Sequence, residues 1–193
     1  MISKRTLFNT PIVTGAFRAL VMVIFKLCGW RVEGETPNLE KYVLIAAPHT
    51  SNWDFPVMLA ASLSRRIVVS WMGKAGLFKG WKGPLARWLG GIPIDRSQSN
   101  DVVTQVAEQY DQREQLIVII CPEGTRKKVT RWKTGFYHIA TTAKVPVVLA
   151  YADYPTKTVG FGPVFTPTGD GERDIQEMQA FYEGYTGKLP DRG

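Results

Sequence analysis

His49 and Asp54 stand five positions apart in the run His49-Thr50-Ser51-Asn52-Trp53-Asp54. A carboxylate at that spacing can accept a hydrogen bond from one imidazole nitrogen. That fixes the tautomer and leaves the other nitrogen to take a proton from a hydroxyl. A positioned base of this kind contributes roughly 10²–10⁴-fold to rate. The plainer reading has Ser51 or Asn52 capping a helix, Asp54 at its positive end and His49 as an ordinary loop histidine. A second group follows an apolar run at Cys121-Pro122-Glu123-Gly124-Thr125-Arg126-Lys127-Lys128. Gly124 lets backbone approach a ligand, Thr125 offers a hydroxyl, and Arg126 presents a fork suited to phosphate. Glu123, beside these cations, is expected to stay ionised and to bind a hydroxyl or orient Arg126. The alternative is a polar turn facing water. Cys121 raises a rival Cys–His pair, but it closes an apolar run and reads as a buried, inert thiol. His138 lies within a helical pattern without a nearby carboxylate and reads as structural.

Positioning these groups requires strands that end where they begin. Tyr42–Ala47 and Leu116–Ile120 read as buried strands, each delivering one of the two clusters. Further strands are expected at Ile67–Met72 and Val147–Tyr151, with a short one in the run Gly90–Arg96 that delivers the arginine to a turn. Helices are expected at about 53–63, 101–113 (capped by Ser99 or Asn100), 134–144 and 173–185. The alternation predicts an α/β fold, a single domain with a central, mainly parallel sheet flanked by helices. Ligand sites in such sheets gather beyond the carboxyl ends of the strands. An N-terminal amphipathic helix precedes it within the apolar segment 11–30, and the domain boundary falls between residues 33 and 34. Arg18 and Lys26 interrupt that segment and argue against a membrane span, which wants about 20 mostly uncharged residues. The helix therefore either packs on the domain or lies in a lipid interface.

The 193 residues carry a formal charge of +7, with 45% hydrophobic and 21% charged residues. From Asp170 onward six acids face three bases, so the tail carries −3 and the residues before it +10. A basic body suits anionic lipid, phosphate-bearing ligands or nucleic acid. Between the clusters, Trp71, Phe78, Trp81 and Trp88 interleave with Lys74, Lys79, Lys82 and Arg87, as at a headgroup interface or a single-strand groove. The opposing view places half of these aromatics in the core. Two cysteines without metal-ligand spacing make a reducing compartment the default, and no signal peptide pattern is evident.

Taken in order, HTSNWD, GKAGLF, GGIPIDR, PEGTR and VPVV resemble the glycerolipid acyltransferase family, across about Pro48 to Val148. The resemblance implies an acyltransferase domain over 34–193 behind a membrane-interface helix at 1–33. It makes His49 the general base and Asp54 its orienting carboxylate. It assigns substrate binding to Lys74, Arg96, Glu123, Gly124, Thr125 and Arg126, with Arg96 gripping acceptor phosphate, and places Val145 and Pro146 near an acyl channel. The implied reaction moves a fatty acyl group from acyl-CoA or acyl-carrier protein to the hydroxyl of a lysophospholipid such as 1-acyl-glycerol-3-phosphate. Transfer would be direct, without cofactor, metal or covalent enzyme intermediate. The implied partners are a lipid acceptor, the thioester donor and the cytoplasmic membrane surface, where the chain would be peripheral or monotopic, and not nucleic acid. Other acceptors such as a lyso-aminolipid, a non-catalytic basic binding module, and a Cys–His hydrolase stay open. The chain departs from the family at Cys121, where phenylalanine is usual, and at Lys127, where small polar residues are common.

Overall fold

The computed structural model describes residues 5–10, 12–95 and 99–192. In chain order it forms α1 (Val13–Leu27), β1 (Arg31–Glu33), β2 (Lys41–Ala47), α2 (Asp54–Arg65), β3 (Val69–Lys74), α3 (Lys82–Trp88), β4 (Gly91–Ile94), α4 (Ser99–Asp111), β5 (Leu116–Ile120), α5 (Gly135–Ala143), β6 (Val147–Asp153), β7 (Thr158–Phe165) and α6 (Gly171–Phe181). Pro11, Arg96 and the side chains of Ser99 and Asn100, all given roles by the sequence, lie outside the described residues.

The centre of the sheet is apolar on both faces, which is why β2 and β5 read as continuous hydrophobic runs. Tyr42 and Leu44 pack on one side with Ile117, Ile119 and Leu63, while Val43 and Ile45 pack on the other with Val118, Phe136 and Ile139. The seven strands lie in the order β1-β7-β6-β2-β5-β3-β4. All neighbours are parallel except β6 and β7. The expected α/β class and mainly parallel sheet are therefore present. Because β6, β2, β5 and β3 run side by side in one direction, the segments that leave them emerge at one edge.

The sheet takes in Arg31–Glu33, which lies before the boundary expected after residue 33. Three elements went unread in the sequence: β1, β7 and α3. In α1, Phe25 is buried and Val21 packs against the domain. Arg18 is not a stray charge in an apolar stretch, since its guanidinium donates to the Leu63 and Ser64 carbonyls at 3.1 and 3.2 Å, closing the last turn of α2. The opposite face keeps Phe17, Leu20, Val23, Ile24 and Leu27 exposed. Among the described residues, no helix is long and apolar enough to cross a membrane. The basic aromatic stretch divides as the plainer reading has it. Phe78 is buried and Trp71 donates its indole N–H to the Leu89 carbonyl, whereas Trp81 stays 80% exposed.

Candidate active site

The chain leaves β2 at Ala47 and enters α2 at Asp54, and this connection is folded around one carboxylate. Asp54 Oδ2 accepts from His49 Nδ1, the Thr50 amide and the Ser51 amide, each at 2.9 Å. The residue before the helix, Trp53, makes no side-chain cap. Ser51 Oγ instead accepts from the Trp53 amide at 3.2 Å, and Asn52 Oδ1 accepts from Arg126. The aspartate thus organises the preceding loop and turns the imidazole, rather than merely favouring a helix end. The His49 backbone amide donates to Glu123 Oε1 at 3.0 Å, which ties the two sequence clusters together across 74 residues.

Protonation follows from these contacts. The hydrogen bond to Asp54, then one to the Cys121 side chain, push the His49 imidazole up to about 10, with burial opposing them. Burial pushes the Asp54 carboxyl up, but hydrogen bonds from His49, Ser51 and Tyr154 outweigh it and hold the group below the ordinary carboxylate range. For Glu123 burial wins and raises the carboxyl, against hydrogen bonds from backbone amides. Its Oε2 is buried without a partner among the described residues. The Arg126 guanidinium turns to Asn52 rather than to Glu123.

Two contributors were not found in the sequence, and a third was read differently. Tyr154, just beyond β6, donates its hydroxyl to Asp54 Oδ1 at 2.7 Å. The C-terminal segment braces the same loop: the Leu189 amide donates to Thr50 Oγ1 at 3.2 Å, and Lys188 Nζ lies 4.5 Å from the centre of the Trp53 ring. Cys121 is the third, since it is neither fully buried nor isolated. It lines the same cleft as His49. The full burial expected from the sequence is corrected to a half-buried position; ending β5 places Cys121 at the sheet edge, level with the loop that leaves β2.

The turn after Cys121 is shaped by Gly124, whose φ of +63° lies in the left-handed region. Its amide donates to the Cys121 carbonyl at 3.1 Å, so it is not free to serve an oxyanion. Gly124, Thr125 and Arg126 line the cleft, and Thr125, Arg126 and Lys127 form its outer basic lip with Asn52. Lys74 ends β3 on the same edge of the sheet but does not line the cleft. Val145 and Pro146 stand before β6, at the opposite end of the strands from His49; Val145 is buried in the core and neither residue lines the cleft. That position does not suit the acyl-channel role expected of them. His138, expected to be structural, is exposed on α5 and contributes to the cleft wall.

The cleft has a volume of about 1330 Å³, larger than the 300–1,000 Å³ or so of common small-molecule sites. Its polar mouth carries His49, Asp54 and Arg126, while Leu44, Met58, Ile119 and Phe161 make its deeper wall apolar. A family model described as Acyltransferase matches residues 29–151, well over half of the chain. The chain belongs to the acyltransferase family. No curated protein matches the sequence of this acyltransferase. Among solved structures it is similar to the crystal structure of the 1-acyl-sn-glycerophosphate (LPA) acyltransferase PlsC from Thermotoga maritima. The TM-score is 0.60 at 18% identity, covering 89% of this chain and 79% of that one. That likeness concerns the fold of the acyltransferase, while the His49–Asp54 pair is read from its own geometry.

Proposed function

We propose that this acyltransferase moves a fatty acyl group from an acyl thioester, on coenzyme A or a carrier protein, to the hydroxyl of a lysophospholipid such as 1-acyl-glycerol-3-phosphate. The observation that carries the reading is the His49–Asp54 pair, joined through Glu123 to the cationic turn in one cleft. Asp54 holds the ring by Nδ1, so Nε2 is the atom that takes the acceptor's hydroxyl proton during attack on the acyl carbonyl. Glu123 Oε2 would take up a polar group of the acceptor, and Thr125, Arg126 and Lys127 would bind its phosphate at the lip. The apolar wall would hold acyl chain. Thioester and hydroxyl supply every atom of the product, so the transfer as written uses no cofactor or metal.

The exposed apolar face of α1 supports a peripheral position on a membrane surface, where a lysolipid acceptor resides. The name of the Thermotoga maritima protein favours a phosphate-bearing acceptor, as does the basic lip. A thiol-release assay with a panel of lysolipids, each offered acyl-CoA and acyl-carrier protein, tests the reading. Release that depends on a lysophospholipid and disappears in His49→Ala is expected. Release indifferent to any lipid hydroxyl would indicate a hydrolase instead.

A further inference from the structure

We propose that the C-terminal segment 186–189 positions the His49–Asp54 pair, with Thr50 as the positioning residue it acts through and Gly187 as the point where it bears on the loop. This rests on the acyltransfer reading above, in which the aim of the His49 ring sets the rate.

Asp54 is gripped from two sides, and the same four residues reach both. On one side its Oδ2 accepts from the Thr50 amide and from His49 Nδ1, each at 2.9 Å. On the other, Oδ1 accepts from the Tyr154 hydroxyl at 2.7 Å. Thr186 holds the Tyr154 side. Its carbonyl accepts from the Tyr154 amide at 2.9 Å, and its own amide donates to Asp153 Oδ1 at 2.9 Å. Leu189 holds the Thr50 side, its amide donating to Thr50 Oγ1 at 3.2 Å. Between them Lys188 lays its ammonium 4.5 Å from the centre of the Trp53 ring, one residue before Asp54. Thr50 is wholly buried. Tyr154 and the segment both lie outside the residues 29–151 that match the family.

Gly187 shows how closely the segment fits the loop. A Cβ added there would lie 2.5 Å from Thr50 Oγ1, 2.6 Å from Cγ2 and 3.1 Å from Cβ. The Gly187 backbone lies outside the left-handed region, so an alanine brings no strain of its own and acts by collision alone. Restoring ordinary contact at about 3.5 Å takes a shift of about 1 Å. The Thr50 amide, which anchors Asp54, sits on the residue that must move. A misplacement of about 1 Å, made away from the chemistry, can cost about 10²-fold in rate.

The loop between β2 and α2 has little else to fix it. It carries no regular structure, and Trp53 makes no side-chain cap for the helix that follows. A chain end that merely covered the sheet edge would set the melting temperature and leave the ring's aim alone. Here the contacts converge on Thr50 and Tyr154, the residues that hold Asp54 on its two oxygens. Displacing the segment therefore reads out in kcat and in the imidazole, and not in substrate binding. The hydrogen bond to Asp54 is the largest cause of the raised His49 value, so a loosened Asp54 lets that value fall.

The test is a double-mutant cycle of Gly187→Ala and Thr50→Ala in the full-length protein. Steady-state kinetics use palmitoyl-CoA and 1-acyl-glycerol-3-phosphate. The His49 titration is followed by NMR of nitrogen-labelled histidine; the chain has 2 histidines, and the His49 signal is the one lost in His49→Ala. Gly187→Ala should lower kcat by about tenfold to 10²-fold, keep both KM values within about twofold and move the His49 titration to lower pH. Thr50→Ala removes the colliding atoms together with the hydrogen bond to Leu189, so kcat should fall about three- to tenfold. Adding Gly187→Ala to it should then cost less than about threefold, because nothing is left to collide. Equal fold costs of Gly187→Ala in the two backgrounds overturn the proposal. So does a wild-type kcat or an unmoved His49 titration in Gly187→Ala. If that variant does not fold, Thr50→Val decides, since it keeps the shape and removes the acceptor. Lower kcat with a lowered His49 titration is expected there, and a wild-type value of either overturns the proposal. If the wild type releases no thiol with any donor and lysolipid, the acyltransfer reading fails, while the histidine titrations still report on the brace.

Discussion

The Tyr154 hydroxyl donates to Asp54 Oδ1 at 2.7 Å, joining the end of β6 to the start of α2 across 100 residues. Asp54 is thereby held on both oxygens, one by Tyr154 and the other by the His49 ring and two amides. Burial, with Asp54 adding to it, pushes the Tyr154 phenol up, so it remains a donor throughout the working range. A hydrogen bond to a charged group contributes about 1.5–3 kcal/mol. Tyr154→Phe, which keeps the ring and removes the donor, is expected to lower kcat about tenfold with KM within about twofold. Equal kcat values would show that the contact orients nothing.

His49→Ala removes the only group that carries the proton. Turnover should fall at least about 10³-fold, at the upper end of what a positioned base contributes. Asp54→Asn keeps the volume but weakens the ring's anchor, and a fall of about 10²-fold or more is expected. Circular dichroism and thermal melts of both variants check that the loss is chemical, and turnover near wild type in His49→Ala would refute the assignment.

Neutral His49 is the base that takes the acceptor's proton, so kcat/KM for the acceptor should rise with pH through the His49 pKa, about 10 in the wild type. Asp54 is the largest cause of that raised value, so Asp54→Asn should move the rising limb to lower pH. A profile that falls through this region would mean that His49 acts first as an acid. The same pair makes stability depend on pH. The raised imidazole stabilises the fold fully below its unfolded value of about 6.5 and loses that contribution as pH rises through about 10. The lowered carboxyl stabilises above about 4 and loses it on acidification. The Tm deficit of Asp54→Asn should therefore be largest between about pH 4 and 6.5 and shrink towards both sides. A deficit that does not vary with pH would show that the pair is not ionised in the fold.

What the sequence disclosed depended on how local the cause was. β2 and β5 were legible because runs buried on both faces show as uninterrupted apolar residues. The His49-x4-Asp54 spacing was legible because both partners sit in one loop. β7 was missed because Gly160, Gly162 and Pro163 look like breakers. Those glycines leave room for the Tyr151 and Phe181 rings, which would lie 2.4 Å from any added Cβ. α3 was hidden by its Gly83-Pro84 start. The Tyr154–Asp54 bond and the place of Cys121 in the His49 cleft arise from strand order, which no local pattern encodes. The family blocks gave Val145-Pro146 a role that the topology moves to the far end of the sheet.

Arg126 is the cation of the lip that also lines the cleft, and it is held by Asn52. Loss of its charge should raise the KM for a phosphate-bearing lysolipid by about tenfold or more, the value of one charge-assisted contact, with kcat little changed. Lys144→Ala, an exposed change at the far end of α5 that removes the same single charge, serves as the control for net charge. Equal KM shifts in Arg126→Ala and Lys144→Ala would mean that the lip does not recognise phosphate.

The outer face of α1 offers Leu20 at 55% and Val23 at 56% exposure, while Phe25 on the other face is buried. A change that acts through a membrane must therefore differ from one that acts through the fold. Leu20→Asp with Val23→Asp should leave the melting temperature within a few degrees and weaken co-sedimentation with anionic vesicles about tenfold or more. That magnitude follows from losing two partly buried apolar side chains, each contributing about 1.5–3 kcal/mol when fully withdrawn from water. Phe25→Asp should instead lower the melting temperature sharply, because it places a charge between α1 and the domain. Turnover of the double variant should fall on vesicle-embedded acceptor but not on acceptor presented as monomers below its micelle threshold. If vesicle binding is unchanged in Leu20→Asp/Val23→Asp, the helix faces something other than lipid.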